Sequence, residues 1–237
     1  MRAPSTTPLG ARRRGLSLIE MMIALTISVT LLTATLAALD SMFKGYKQTT
    51  ESASTHVVAR IVVSRVLGMI RTGEGFAPVP ADVLDQEENP LVSDFFEFVA
   101  ERDAAGDATE LVRVEYRYDA EFEDGAQGIE NPPRRTWSLA DGPPDDLWPD
   151  TAGELWYVRL DLSTDPPAVL QENPLLVGVR SVTFTMHYDV GPALTRATID
   201  LLVEPNDSQD LTIGADSRAQ TFRLVASAAP RVGMREE

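Results

Sequence analysis

The sequence predicts an α+β fold, in which one long N-terminal helix is followed by an antiparallel β-sheet domain packed on the helix's second half. Two patterns and their order carry this. Between Leu16 and Leu67 there is no proline and a single glycine, Gly45, so nothing breaks a helix there. From Gly73 onward, apolar residues recur with period two between loops rich in Pro, Gly and Asp, which is the signature of strands. A helix first and strands afterwards is the order of an α+β chain rather than an alternating α/β one.

Composition narrows the function classes. The chain has 237 residues, 43% apolar and 24% charged, ordinary globular usage that excludes wholesale disorder and a polytopic membrane protein. A net charge of −15 is the wrong sign for a nucleic-acid binder. The absence of cysteine removes disulfides, thiol nucleophiles and Cys-containing zinc sites. The acids are unevenly placed: from Glu74 onward 33 acids face 12 arginines, a balance of −21, while only Glu20, Asp40 and Glu51 precede them. The chain therefore divides near Thr72-Gly73-Glu74-Gly75.

The helix itself has two halves. Met21 to Leu39 are 19 uncharged, mostly apolar residues. At about 1.5 Å per residue they span roughly 28 Å, the thickness of a hydrocarbon core. Thr26, Ser28, Thr30, Thr33 and Thr35 dilute the span, but a helix lets them bond back to the preceding turn. The arginines ahead of it predict a cytoplasmic N-terminus. Further on, Val58, Val62, Val66 and Ile70 recur every four residues beside Ala59, Val63 and Leu67, an amphipathic stretch with a wide apolar face.

In the second part, Val112, Val114, Tyr116 and Tyr118 alternate with Arg113, Glu115 and Arg117, as in a half-buried strand. Trp156, Val158, Leu160 and Leu162 alternate with Tyr157, Arg159 and Asp161. Val182 to Tyr188 and Ala197 to Val203 flank Gly191-Pro192, predicting a hairpin. Phe222 to Ala226 gives a last strand, and 94–99 and 134–139 are weaker candidates.

The junction Arg12-Arg13-Arg14-Gly15-Leu16-Ser17-Leu18-Ile19-Glu20, followed at once by the apolar run, resembles the leader of type IV pilins and type II secretion pseudopilins. An ordinary signal peptide carries no lone carboxylate where its apolar core begins. The resemblance implies a pilin-like fold, cleavage by a prepilin peptidase between Gly15 and Leu16, N-methylation of Leu16, and an assembly role for Glu20. A carboxylate at a membrane boundary is costly and needs a partner. The α-amine freed at Leu16, supplied in a filament by a neighbouring subunit, is such a partner. Departures from the family pattern are Leu16 in place of phenylalanine, Ala37 where major pilins often have proline, and the missing cysteines. The last two, the absent proline and the absent cysteines, point towards a minor pilin or pseudopilin. The stretch 175–189 with the strand after it is similar to the J-type minor pseudopilin and the W-type minor pilin.

The implied organisation is a leader at 1–15, a transmembrane half at 16–39, an amphipathic stalk at 40–72 and an acidic β-rich head at 73–237. The implied role is that of a non-catalytic subunit that helps initiate or cap a type II secretion pseudopilus or a type IV pilus. It would be a single-pass inner-membrane protein with a periplasmic head before joining the filament. The implied partners are the prepilin peptidase, other minor and major pseudopilins or pilins, the inner-membrane assembly platform and membrane lipid; no cofactor is implied. The alternative is a binding module displayed on a pilus, an adhesin or uptake subunit.

Asp141, Asp145, Asp146, Asp150 and Glu154 crowd one loop that could offer oxygens to calcium, although the spacing is no EF-hand and acidic loops are usually just solvated. His187 and His56 read as surface residues, and Trp137, Trp148 and Trp156 as core or interface.

Overall fold

The computed structural model describes residues 17–121, 127–130, 134–144, 147–148, 152–204 and 221–231. They form helix α1 (Leu18–Thr72) and ten strands: β1 (Glu74–Ala77), β2 (Leu91–Ser93), β3 (Phe95–Arg102), β4 (Ala108–Glu121), β5 (Gln127–Glu130), β6 (Thr136–Ser138), β7 (Gly153–Asp161), β8 (Ala168–Asp189), β9 (Ala193–Val203) and β10 (Phe222–Ala228). The fold is α+β and every strand pairing is antiparallel. The chain divides into two compact units, one ending at Lys47 and one beginning at Gln48.

In the first unit the described residues after Ser17 are helical and their apolar side chains are exposed throughout, from Leu18 to Tyr46. The predicted back-bonding holds. Hydroxyls of Ser28, Thr33 and Thr35 donate to carbonyls four residues earlier at 2.7–2.9 Å. Thr26 reaches back three residues, and Thr30 three and four. The helix continues past Asp40, whose carboxylate takes a 2.7 Å bond from Lys44 one turn on.

In the second unit the amphipathic stretch buries its predicted apolar face from Ala59 onward, while Val58, expected on that face, stays exposed. Ala59, Val62, Val63, Val66 and Ile70 join one core with Val112, Val114 and Tyr116 of β4 and the inward residues of β8 and β9. The helix ends where the glycine does. Gly73 N–H donates to Met69 O at 2.8 Å, and a Cβ on Gly73 would lie 2.8 Å from the Phe98 ring, so only glycine lets β1 start there.

The main sheet runs β1-β3-β4-β7-β8-β9-β10. β8 is 22 residues long and changes partner midway. Its first half pairs with β7; from Val179 it pairs with β9, while Phe184–Met186 pair with β2 on the opposite edge. The change falls at a bulge where Gly178 adopts φ +79°, a left-handed conformation that favours glycine. The hairpin at Gly191-Pro192 is present, with Asp189 paired to Ala193.

Two strands differ from their sequence reading. In β4, Glu115 and Arg117 are buried rather than solvated. In β7 the apolar set faces the other way. Leu155 and Tyr157 lie opposite Tyr116 and Val114 on the helix side, while Trp156, Val158 and Leu160 lie opposite Glu115, Arg113 and Leu111 on the outer side. Both faces of this central strand are covered, so alternation alone could not choose the inner one.

Candidate functional site at the start of the helix

Ser17 immediately precedes the helix and Glu20 is its third residue. Ser17 O accepts the N–H of Met21 at 3.1 Å, and Glu20 Oε2 accepts the backbone N–H of Ser17 at 2.9 Å. This is the return arm of a capping box, Ser-x-x-Glu, in which a carboxylate satisfies a backbone donor that the helix leaves orphaned. A negative charge in the first turn also opposes the positive end of the helix dipole. Glu20 therefore has a partner within its own chain, one residue beyond Leu16, besides the intersubunit amine expected from the sequence. The spacing Ser17-Leu18-Ile19-Glu20 is itself the capping-box signature, and the sequence reading missed it. Gly15 and Leu16 lie outside the described residues.

Of the five acids of the acidic loop, Asp141 and Glu154 lie among the described residues. Asp141 Oδ2 accepts the Ser138 hydroxyl at 2.7 Å, and Glu154 Oε2 accepts the Trp156 indole N–H at 2.8 Å. Asp145, Asp146 and Asp150 lie outside the described residues. Among the described residues no three His, Asp or Glu side chains are placed to hold a metal ion.

His187 shares a 2.9 Å contact with the Arg196 guanidinium, and burial together with that charge holds its pKa below the usual histidine value. His56, expected at the surface, is half-buried against the Phe222 ring at 4.8 Å. Trp137 sits in a second small core with Val92 and Leu147, and Trp148 packs edge-on to Tyr116 at 5.1 Å. The Trp156 ring is capped by Arg117 at 4.6 Å.

The outer sheet face holds a continuous array of ions. Arg113 donates to Glu97 at 2.5 Å, Arg117 bridges Glu115 at 2.7 Å and Glu172 at 3.2 Å, and Arg134 reaches Glu97 at 3.4 Å. Asp94, 2% exposed, accepts the backbone N–H of Arg135 at 3.1 Å. Burial, with Glu115 adding repulsion, pushes its pKa up to about 6. These groups tie neighbouring strands of the sheet to one another.

The chain matches, over residues 10–36, the family described as the prokaryotic N-terminal methylation motif. No curated protein and no solved structure matches it significantly.

Proposed function

We infer that this chain is a pilin-like substrate of a prepilin peptidase that assembles with pilins, because residues 10–36 match the N-terminal methylation motif of the type IV pilin and pseudopilin leader. From that premise we propose that the protein is a minor pseudopilin or minor pilin that serves as a structural subunit at the start of a filament. The observation that carries the reading is the leader, joined directly to an exposed apolar helix that begins at a carboxylate cap. An 18-residue window of that helix has a mean hydropathy of 2.1, which fits a single-pass anchor.

Cleavage after Gly15 would hydrolyse one amide and free the Leu16 α-amine. It removes Arg2, Arg12, Arg13 and Arg14, leaving 17 basic against 36 acidic residues, a balance of −19. At the membrane boundary, three guanidinium groups give way to a single amine beside the Glu20 carboxylate. That change suits release of a charged tail from the cytoplasmic face and sideways association of helices. N-methylation keeps the amine cationic and adds only a methyl group. The periplasmic head would then take its place by packing and not by chemistry.

The test is intact mass and N-terminal sequencing of the membrane-extracted protein from a host with and without an active prepilin peptidase. The expected chain starts at Leu16 and carries one added methyl. A chain starting near Ala38 would mean ordinary signal-peptidase processing and would overturn the reading.

A further inference from the structure

We propose that the open edge of β10, beside Arg60 and Arg71 of the helix, is a docking site for an extended segment of a different polypeptide, which adds to the sheet as a strand and carries carboxylates at alternate positions. This deepens the filament-subunit reading by naming the chemistry of one partner, and it rests on that reading only in expecting the partner to belong to the same assembly.

The edge is bare where other ends of the sheet are blunted. Among the described residues β10 pairs with β9 alone, in unbroken register from Phe222 opposite Val203 to Ala228 opposite Ala197. Its second edge presents backbone donors and acceptors that have no ladder partner among those residues. β10 holds no proline, no lysine and no bulge, the usual devices that keep an edge from pairing. By contrast, β1 has four residues, an irregular register and Pro78 directly after it, and β6 has three residues. The outer face of β10 already has its polar partners: Arg223 donates to Asp200 at 2.8 Å, and Ser227 and Thr198 share a 2.7 Å hydroxyl contact.

The charges on the helix side choose the occupant. Two contacts set β10 alongside the helix: His56 lies 4.8 Å from the Phe222 ring, and Arg231 N–H donates to Arg71 O at 3.0 Å. At about 100° per residue, Arg60 and Arg71 fall within about 60° of His56. Both are more than about 110° from Arg65, which lies over the Tyr157 ring of β7 at 5.5 Å. Arg60 and Arg71 are therefore on the β10 side, with Arg231 just past the strand. All three are exposed, and none makes an ion pair among the described residues. No acid occurs from Ser52 to Gly73 or from Thr221 to Arg231, in a chain with 33 acids from Glu74 onward. From Arg60 to Arg71 the helix rises about 16 Å, which a strand covers in about five residues. A strand with glutamate at every second position sets two or three carboxylates along that strip, all on the face turned to the helix. A second copy would bring the same arginines to the seam and no acid, so the charges disfavour it.

The test uses the full chain in a nonionic detergent and fluorescent peptides of about nine residues that alternate Val or Thr with either Glu or Lys. Fluorescence anisotropy should show the Glu peptide binding at least about tenfold more tightly than the Lys peptide, with the difference shrinking in high salt. A strand pairs through one edge, so N-methylation of one alternate set of the Glu peptide's amides should abolish binding, and of the other set should not. Hydrogen exchange should show the amides of Phe222–Ala228 gaining protection in the complex. The double variant Arg60→Glu, Arg71→Glu should reverse the preference; both positions are exposed, and circular dichroism verifies the fold. Equal binding of both peptides, no binding of either, indifference to both N-methylated sets, or an unreversed preference would overturn the proposal. Because the chain has no cysteine, Val225→Cys carries a single thiol, which an antiparallel pair of β10 strands centred there would bring face to face. A disulfide-linked homodimer forming faster than with Val190→Cys, another exposed position, would assign the edge to a second copy and likewise overturn it. Each of these failures can occur while maturation at Leu16 is intact, so they are distinguishable from failure of the leader reading.

Discussion

The head should not fold without the helix that enters it. A fragment beginning at Gly73 keeps all ten strands but loses Ala59, Val62, Val63, Val66 and Ile70, each 7% exposed or less in the intact unit. Burial of a Val or Ile side chain contributes about 1.5–3 kcal/mol, so the three valines and one isoleucine supply roughly 6–12 kcal/mol. A whole domain has a net stability of about 5–15 kcal/mol, so the loss is comparable to the total. The fragment also loses the Arg231 N–H bond to Arg71 O, 3.0 Å, which ties the chain after β10 to the end of the helix. The assay is urea unfolding followed by far-ultraviolet circular dichroism on two fragments, one from Gln48 and one from Gly73. The longer should give a cooperative transition and a strand-rich spectrum with a helical component. The shorter should give none. Within the longer fragment, Ile70→Ala should cost about 2–4 kcal/mol with an unchanged slope. A cooperative transition of the Gly73 fragment at the same midpoint would show that the sheet does not depend on the helix and would refute the reasoning.

Three further outcomes are expected. Glu20→Ala should leave cleavage after Gly15 intact but, if the proposed pairing of Glu20 with a neighbouring α-amine holds, reduce recovery of the processed chain with partner pilins, as the variant also loses the Ser17 cap; crosslinking of processed protein measures it, and equal recovery defeats the assignment. Asp94 has a folded pKa of about 6, above the unfolded carboxylate value, so its contribution is fully present below about pH 4 and is lost as pH rises through 6. Asp94→Asn should therefore raise stability at pH 7 by up to about 3 kcal/mol and do nothing at pH 4, as read from urea midpoints at both values. Gly153→Ala would press a Cβ into the Arg117 carbonyl oxygen and should cost about 1–3 kcal/mol in the same assay.

How much of this was legible in the sequence depends on how many faces of each element are covered. The helix was legible at both levels, because its first half is uniformly apolar and its second half buries one arc only. The hairpin of β8 and β9 was legible for the same reason: Val182, Phe184 and Met186 point to one core, and polar residues point away from it. The centre of the sheet was not. In β4 and β7 the outer face is closed by Arg117 on Trp156 and by the Glu97, Arg113 and Glu115 ions, so polar residues are buried and apolar ones occupy both faces. A period-two pattern then names a strand without naming its inner side. The first half of β8 was hidden differently. No strand is predicted over Gln171, Glu172, Asn173 and Pro174, yet they pair with β7, because that stretch is exposed and needs no apolar side chains to stay in the ladder. The same reasoning separates the leader from the exposed face of the helix. The leader is a local code that contiguous residues spell out, and it could be recognised from the sequence. The Ser54–Gly68 face could not be told from the buried face by its residues alone, since both hold valine and isoleucine. Only the packing of Ala59, Val66 and Ile70 against the sheet shows that Val57 and Ile61 stay on the outside.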